Sequence, residues 1–229
     1  MEAIILAGGL GTRLAPRVSG LPKAMAPVAG RPFLEILLRQ LDRCGCTRAI
    51  LAVGYLHAAI EDHFGAAFGG LRLDYSVEGA PLGTGGAIRN ALVLAREEAA
   101  LVLNGDTYLD ADYAAMLRMH RAEGRPMTIA IVHQPDIARY GGVLVRERRI
   151  AGFEEKGRSG PGWINAGAYV LSREFPWPAE HADKFSIEKD VLAPGVGRLQ
   201  PTAFPVEGFF LDIGVPEDYD RAQTALAGI

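Results

Sequence analysis

Apolar positions along this chain follow two rhythms that replace each other in turn. Short unbroken apolar runs, "AIIL" at Ala3 to Leu6, "RAILAVGY", "ALVLN" and "MTIAIVH", read as strands covered on both faces. Between them the spacing becomes helical. In "PFLEILLRQLDRCG", Leu34, Leu37, Leu38 and Leu41 stack on one face and Gly45 ends the run. Helices are also expected from His57 to Phe64, in "GTGGAIRNALVLAREE", in "DADYAAMLRMHRAEG" and in the closing "PEDYDRAQTAL", with a strand in "LRLDYSVE". Pro16, Pro22, Pro27 and Pro32 forbid a helix after the first strand, so that stretch is a long ordered loop. The last third is richer in strands, "GGVLVRE", "RIAGFEE" and "WINAGAYVL". Strands alternating with helices imply an α/β fold whose mostly parallel sheet is covered on both sides. Ligands of such sheets lie beyond the carboxyl ends of the strands. Attention therefore falls on "ILAGGLGTRL", "SVEGAPLGTGGA", "VLNGDTY" and "FFLDIG", each directly after an apolar run.

Composition narrows the ligand. With 229 residues, 49% of them hydrophobic, the chain suits one domain with an ample core. A formal net charge of −3 argues against a general nucleic-acid binder, which needs a basic surface. Cys44 and Cys46 are too close together for an unstrained disulfide and too few for a zinc site, which points to a reducing cytoplasm. No apolar run approaches membrane-spanning length, and the start lacks the features of a signal peptide, so no membrane partner is expected.

The glycine loop after the first strand matches neither common phosphate fingerprint. A dinucleotide loop wants G-x-G-x-x-G opening a helix, whereas here Gly9, Gly11 and Leu14 hold the three places and proline blocks the helix. A P-loop wants Gly-Lys-Ser or Gly-Lys-Thr, and neither occurs. What remains is a run of exposed backbone N–H groups with Arg13 and then Lys23, the local cations by which an acidic protein holds a triphosphate. "LAGGLGTRL" followed by "PKAMAPVAGRP" resembles the signature of the sugar-1-phosphate nucleotidyltransferases. "EGAPLGTGGA", "NGDTY", "FEEK", "INAGAY" and "DIGVPEDY" continue the likeness, in the family's order, over nearly the whole chain.

That resemblance implies a Rossmann-like three-layer α/β/α sandwich of the nucleotidyltransferase, GT-A-like kind. Residues 1–229 would form a single domain, about 1–110 the nucleotide-binding half and about 111–229 the sugar-phosphate half. Leu6, Ala7, Gly8, Gly9, Gly11, Thr12, Glu78, Pro81, Gly83, Thr84 and Gly105 would line the nucleotide site. Arg13 would stabilise leaving pyrophosphate, and Lys23 would hold phosphate oxygens. Asp106 and Asp212, otherwise plausible as turn or cap residues, would share one Mg²⁺, a metal that takes few carboxylates plus substrate phosphates. Glu155 would meet sugar hydroxyls and Lys156 the sugar phosphate, with Gly142, Asn165 and Gly167 completing the pocket. The partners implied are a nucleoside triphosphate and a sugar 1-phosphate, and family members are often homo-oligomers.

Other features carry less. His57, His63, His120, His133 and His181 are scattered without metal spacing or a nucleophile partner and receive no chemistry. Asp110 to Asp112, "DAD", resembles a glycosyltransferase metal motif, but Asp110 sits where a helix cap is wanted. Glu78 stands where thymidylyltransferases of the family typically place glutamine, and a carboxylate can accept from both N1–H and the 2-amino group of guanine, which favours GTP, although some uridylyltransferases also carry an acid near here and a Glu78 facing water is the plainer alternative. The short length, "RYGGV" and "KFSIEKDVL" resemble the branch that guanylylates a heptose 1-phosphate. Uridylyltransferases acting on N-acetylmuramate 1-phosphate, or another hexose-1-phosphate nucleotidyltransferase, are the second expectation. A nucleotide-sugar-dependent glycosyltransferase, which would release a nucleoside diphosphate, is a distant third.

Overall fold

A computed structural model describes residues 1–9, 11, 14, 17–18, 20–178 and 183–229. The glycine loop is entered from β1 (Glu2–Leu6), and two short strands, β2 (Pro27–Val28) and β3 (Arg31–Pro32), follow in the proline-rich stretch. Next come α1 (Phe33–Arg43), β4 (Arg48–Val53), α2 (His57–Phe64), β5 (Ala67–Phe68), β6 (Leu71–Val77) and α3 (Gly83–Leu92). The middle holds β7 (Ala99–Asn104), β8 (Thr107–Leu109), α4 (Tyr113–Glu123) and β9 (Met127–Gln134). The remainder is β10 (Val143–Arg146), β11 (Arg149–Phe153), β12 (Gly162–Ser172), a π-helical turn (Ile187–Leu192), α5 (Ala193–Leu199), β13 (Thr202–Val206), β14 (Phe210–Asp212) and α6 (Pro216–Ala225).

Ten strands form one sheet in the order β10-β11-β13-β9-β12-β7-β1-β4-β6-β5. β6, β4, β1 and β7 run parallel, as the apolar runs require when both faces are covered. β12 then enters antiparallel between β7 and β9, and the far side of the sheet is mixed. Alternate residues of β1 serve opposite layers. Ala3 and Ile5 join the core beneath α1, α2, α4 and α6, while Ile4 joins the one beneath α3, the π turn and α5. The chain is thus a three-layer α/β/α sandwich. β1 has β4 on one side and β7 on the other, so the strand order reverses there and a crevice opens beyond the carboxyl ends.

Several boundaries differ from those the pattern implies. α3 stops at Leu92 rather than running on to Glu98. The following turn is captured by buried charges, with Arg48 donating to the Leu94 carbonyl at 2.9 Å and Glu2 accepting from the N–H groups of Arg96 and Glu97 at 2.7 and 2.8 Å. α4 is capped by Asp112, whose side chain accepts from the Ala115 N–H, and not by Asp110. The N–H of Asp110 is instead bonded to the Phe209 carbonyl, at the end of the small β8–β14 sheet. β8, β13, the π turn and α5 have no counterpart in the pattern reading. Among the described residues no helix is long and apolar enough to cross a membrane.

Candidate active site

The crevice at the reversal point is a cleft of about 420 Å³. It is lined by Leu6, Ala7, Gly8, Gly9 and Gly11 after β1, by Glu78, Pro81, Gly83 and Thr84 after β6, and by Gly105 and Asp106 after β7. Apart from Asp106, expected at the metal, these are the expected nucleotide positions; Thr12, with Arg13, lies outside the described residues. Lys23, Ala24, Ala87 and Asn104 complete the wall. Asn104 went unnoticed in the sequence, although it ends an apolar strand directly before "GD".

Glycine is required at two points of this wall for different reasons. Gly11 has φ +62°, and a Cβ there would stand 2.9 Å from Cβ of Lys23, so the loop can close over that lysine only without a side chain. A Cβ on Gly8 would lie 2.9 Å from Oε1 of Glu78 and 3.2 Å from the Gly54 nitrogen. Glu78 is half-buried and accepts from the Leu82 N–H at 2.8 Å through Oε2, which anchors the loop leading into α3. Burial raises its carboxyl pKa, with the Leu82 N–H opposing the shift.

The second cluster forms where β8 and β14 pair. Thr107 stands opposite Asp212, and the Ile213 N–H donates to the Asp106 carbonyl at 2.9 Å, which brings two carboxylates 106 residues apart in sequence into one corner. Asp106 lies in the turn between β7 and β8, two residues beyond the strand end. It is ion-paired with Lys23. Asp212 accepts from the Gly214 N–H at 2.7 Å and has Arg139 at 3.9 Å. Its carboxyl pKa is pushed up by burial first and then by the Asp106 charge, against the Gly214 N–H, Lys23 and Arg139. The Asp106 charge thus reaches Asp212 across this corner. No group of three or more His, Cys, Asp and Glu side chains suited to a metal occurs among the described residues, so this pair alone would leave most coordination positions to other oxygens. Such a donor set fits Mg²⁺ arriving with phosphates. Arg139, in the "RYGGV" stretch, was missed as a site residue. It also pairs with Asp218 at the start of α6 and stacks 4.5 Å over Tyr140, which fixes its head beside Asp212.

The expected sugar side lies around β12. Gly167, with φ +69°, is packed on Asn104, whose Nδ2 would be 2.6 Å from any Cβ there, so this edge adjoins the cleft. Asn165 accepts from the Gly167 N–H at 3.0 Å and donates to Tyr169 Oη at 2.8 Å and Glu188 at 2.9 Å. Gly142 leaves room for the Glu154 carboxylate, which is ion-paired with Arg158. Glu155 and Lys156 stand exposed in the turn after β11 with no side-chain hydrogen bond or ion pair among the described residues. Lys156 runs past Gly141, its Cγ 3.7 Å from where a Cβ would be, two residues from Arg139. His120 is a core residue, hydrogen-bonded to Thr128 and Ser172, and His181 is outside the described residues.

Glycines after β1, a carboxylate pair and Lys23 gathered at the reversal point of a parallel sheet suit a nucleotide-using transferase. The chain belongs to the nucleotidyl transferase family, whose pattern it matches over residues 2–228. It is 40% identical over 226 residues to a D-glycero-α-D-manno-heptose 1-phosphate guanylyltransferase of Aneurinibacillus thermoaerophilus, covering 99% of this chain and 98% of the relative. The enzyme of the same name from Campylobacter jejuni is also 40% identical, over 220 residues, 96% of this chain and 97% of its own. Among solved structures, HddC from Yersinia pseudotuberculosis in complex with GMP-PN superposes with a TM-score of 0.85 at 36% identity, covering 98% of this chain and 99% of HddC.

Proposed function

We propose that this protein transfers GMP from GTP to D-glycero-α-D-manno-heptose 1-phosphate, releasing pyrophosphate and forming a nucleotide-activated heptose. The observation that carries the reading is the convergence, in one cleft, of Glu78 and the Lys23–Asp106 pair, a carboxylate suited to a base and a charged pair suited to phosphates. The full-length likeness to two heptose 1-phosphate guanylyltransferases supports both the base and the sugar.

The chemistry asks little of acid–base groups. A phosphomonoester has a second pKa of about 6, so the attacking oxygen is already anionic at neutral pH. That oxygen bonds to the α-phosphorus in line as the bond to the β-phosphate breaks, and the electron pair leaves on pyrophosphate. The barrier lies in bringing two polyanions together and in the charge that grows on the leaving group. Lys23, on the cleft wall, would hold phosphate oxygens, and Arg13 and Lys156 are assigned to the leaving group and the sugar phosphate. Asp106 and Asp212 would hold Mg²⁺, which when bound supplies further neutralisation of the triphosphate. Glu78 presents its carboxylate to the guanine edge, while Asn165, Gly167, Gly142 and Glu155 belong to the sugar pocket.

The test is pyrophosphate release measured across GTP, UTP, dTTP, CTP and ATP with heptose-, mannose-, glucose- and N-acetylmuramate-1-phosphates. GTP with the heptose 1-phosphate should give the highest kcat/KM. Preference for UTP with N-acetylmuramate 1-phosphate would replace this reading with the uridylyl one, and release of a nucleoside diphosphate would replace it with a glycosyltransferase. Asp106→Asn and Asp212→Ala should each abolish turnover while the variant still folds and melts cooperatively, since neither side chain is among the fully buried residues. Near-normal Mg²⁺-dependent activity in either would remove it from the metal site.

A further inference from the structure

The nucleotide loop and the sugar side are joined by one segment that the chemistry above does not use. The Gly85 N–H donates to the Phe185 carbonyl at 2.9 Å, the Phe185 N–H to the Leu82 carbonyl at 2.9 Å, and the Ile187 N–H to Thr84 Oγ1 at 3.0 Å. Gly83, at φ +70°, would place a Cβ 2.6 Å from the Phe185 carbonyl oxygen, and the Phe185 ring fills the space beside Gly85. "GTGG" and "KFSIE" are thus fitted to each other. Directly after this clamp the chain enters the π turn at Ile187. Its wider winding moves side chains off the α-helical positions, and such turns recur at functional sites.

Glu188 is the second residue of that turn. It is exposed, yet one oxygen is committed: Oε1 accepts from Asn165 Nδ2 at 2.9 Å and from Tyr169 Oη at 3.4 Å. Its Oε2 has no partner among the described residues. Asn165 has both its functions engaged, Oδ1 with the Gly167 N–H and Nδ2 with Tyr169 and Glu188, which leaves it poorly equipped to read a hydroxyl by itself. Asn165 holds the Gly167 N–H, and Gly167 is packed on Asn104 of the cleft wall, so the Glu188–Asn165–Tyr169 cluster adjoins the cleft through that edge.

We propose that Glu188 is a substrate-reading residue, its free oxygen accepting from a hydroxyl of the sugar 1-phosphate while its other oxygen fixes Asn165. The assignment rests on the reading of the Asn165–Gly167 edge as the sugar side. Because Glu188 follows the segment clamped to Gly83–Gly86, the sugar reader is positioned by the same loop that flanks the nucleotide.

The experiment compares wild type, Glu188→Ala and Glu188→Gln, using GTP with the preferred sugar 1-phosphate and its monodeoxy analogues. In wild type one monodeoxy analogue should lose tenfold or more in kcat/KM. Glu188→Ala should raise KM for the parent sugar phosphate about tenfold, leave KM for GTP within twofold, and erase the penalty for that one analogue. Glu188→Gln, whose carbonyl can still accept from Asn165, should restore the melting temperature of Glu188→Ala if that has fallen, and recover part of the discrimination. An alanine variant that keeps every deoxy penalty overturns the proposal. So does one that weakens GTP and all sugars equally alongside a lower melting temperature, which is what a purely structural carboxylate would do. Failure of the underlying reading is visible separately, because wild type would then release no pyrophosphate with any sugar 1-phosphate in the panel, and both proposals would fall together.

Discussion

On the proposed function Glu78 carries the choice of base, and its surroundings make that choice testable. Guanine offers N1–H and a 2-amino group side by side, and a carboxylate accepts both where an amide accepts one and meets the other with its own N–H. Glu78→Gln should lower kcat/KM for GTP roughly tenfold to a hundredfold, the effect of losing about 1.5 to 3 kcal/mol from a charged hydrogen bond, and leave UTP level or improved. Gly8→Ala should move in the same direction through a different cause, because its Cβ would press on Glu78 Oε1. The pH profile supplies an independent check. Burial raises the Glu78 pKa, so its acceptor form is lost as pH falls through a higher value than an exposed glutamate shows. GTP use should therefore decline on the acid side before UTP use does, UTP serving as control for titration of the triphosphate itself. Glu78→Gln should remove that difference, and an unchanged profile would mean that guanine is read elsewhere.

The end of α3 illustrates how one element is set by others. Helical periodicity continues past Leu92, yet the chain turns because Glu2 on β1 and Arg48 on β4 bond the backbone of residues 94 to 97. Arg48 is buried, 2.5 Å from Glu2 and 2.5 Å from Asp74 on β6, so a single guanidinium ties three strands and a helix end together. Burial alone would raise the Glu2 pKa, but the Glu97 N–H, Arg48 and the Arg96 N–H outweigh it and hold the carboxyl below its ordinary range. Removing one member strands the others. Arg48→Met should cost on the order of 3 to 5 kcal/mol, read as a lower denaturant midpoint, because it leaves Glu2 as an uncompensated buried charge. The cluster lies at the amino end of the strands, opposite the cleft, so the folded fraction should keep the wild-type KM for GTP. A loss of less than about 1 kcal/mol would place the pair among weak surface contacts.

Across the whole molecule, the mixed half of the sheet is locked to its covering helix by a neutral histidine. His120 on α4 is hydrogen-bonded to Thr128 of β9 at 3.1 Å and Ser172 of β12 at 3.2 Å. Burial, with a smaller effect from Arg121, holds its pKa down to about 4 from the ordinary 6.5. In the unfolded chain the ring takes its proton near 6.5, and in the folded one only near 4. The unfolded state therefore binds more protons between those values, so stability is full above about 6.5 and falls as pH drops towards 4. The carboxyls of Glu2 and Asp74, also held low, act only at more acid pH. Denaturation midpoints measured from pH 7.5 to 5 should decline in wild type and decline less in His120→Gln. Parallel curves would show that the ring is not the group responsible.

The ordered motifs alone determined the family, the α/β class and the glycine-loop side of the site, because those properties live in local patterns: apolar runs, turn glycines and a carboxylate or lysine at a strand end. Gly8, Gly11, Glu78 and Asp106 were legible for that reason, as were α1 and α2. What the chain could not display locally was decided by packing. Asp106 and Asp212 come together only through the three-residue pairing of β8 with β14, and strands that short leave almost no periodic trace. Arg139 is an ordinary loop arginine until α6 supplies Asp218 and β14 supplies Asp212. The end of α3 was set by charges on β1 and β4, and the cap of α4 passed to Asp112 because the β8–β14 sheet claimed the Asp110 backbone. Glu188 follows the same rule. In the sequence it is one charge in a mixed run, and it becomes a candidate reader of the sugar only when the π turn sets it against Asn165 and Tyr169, since hydrogen bonds between residues far apart in sequence leave no mark on the sequence around either partner.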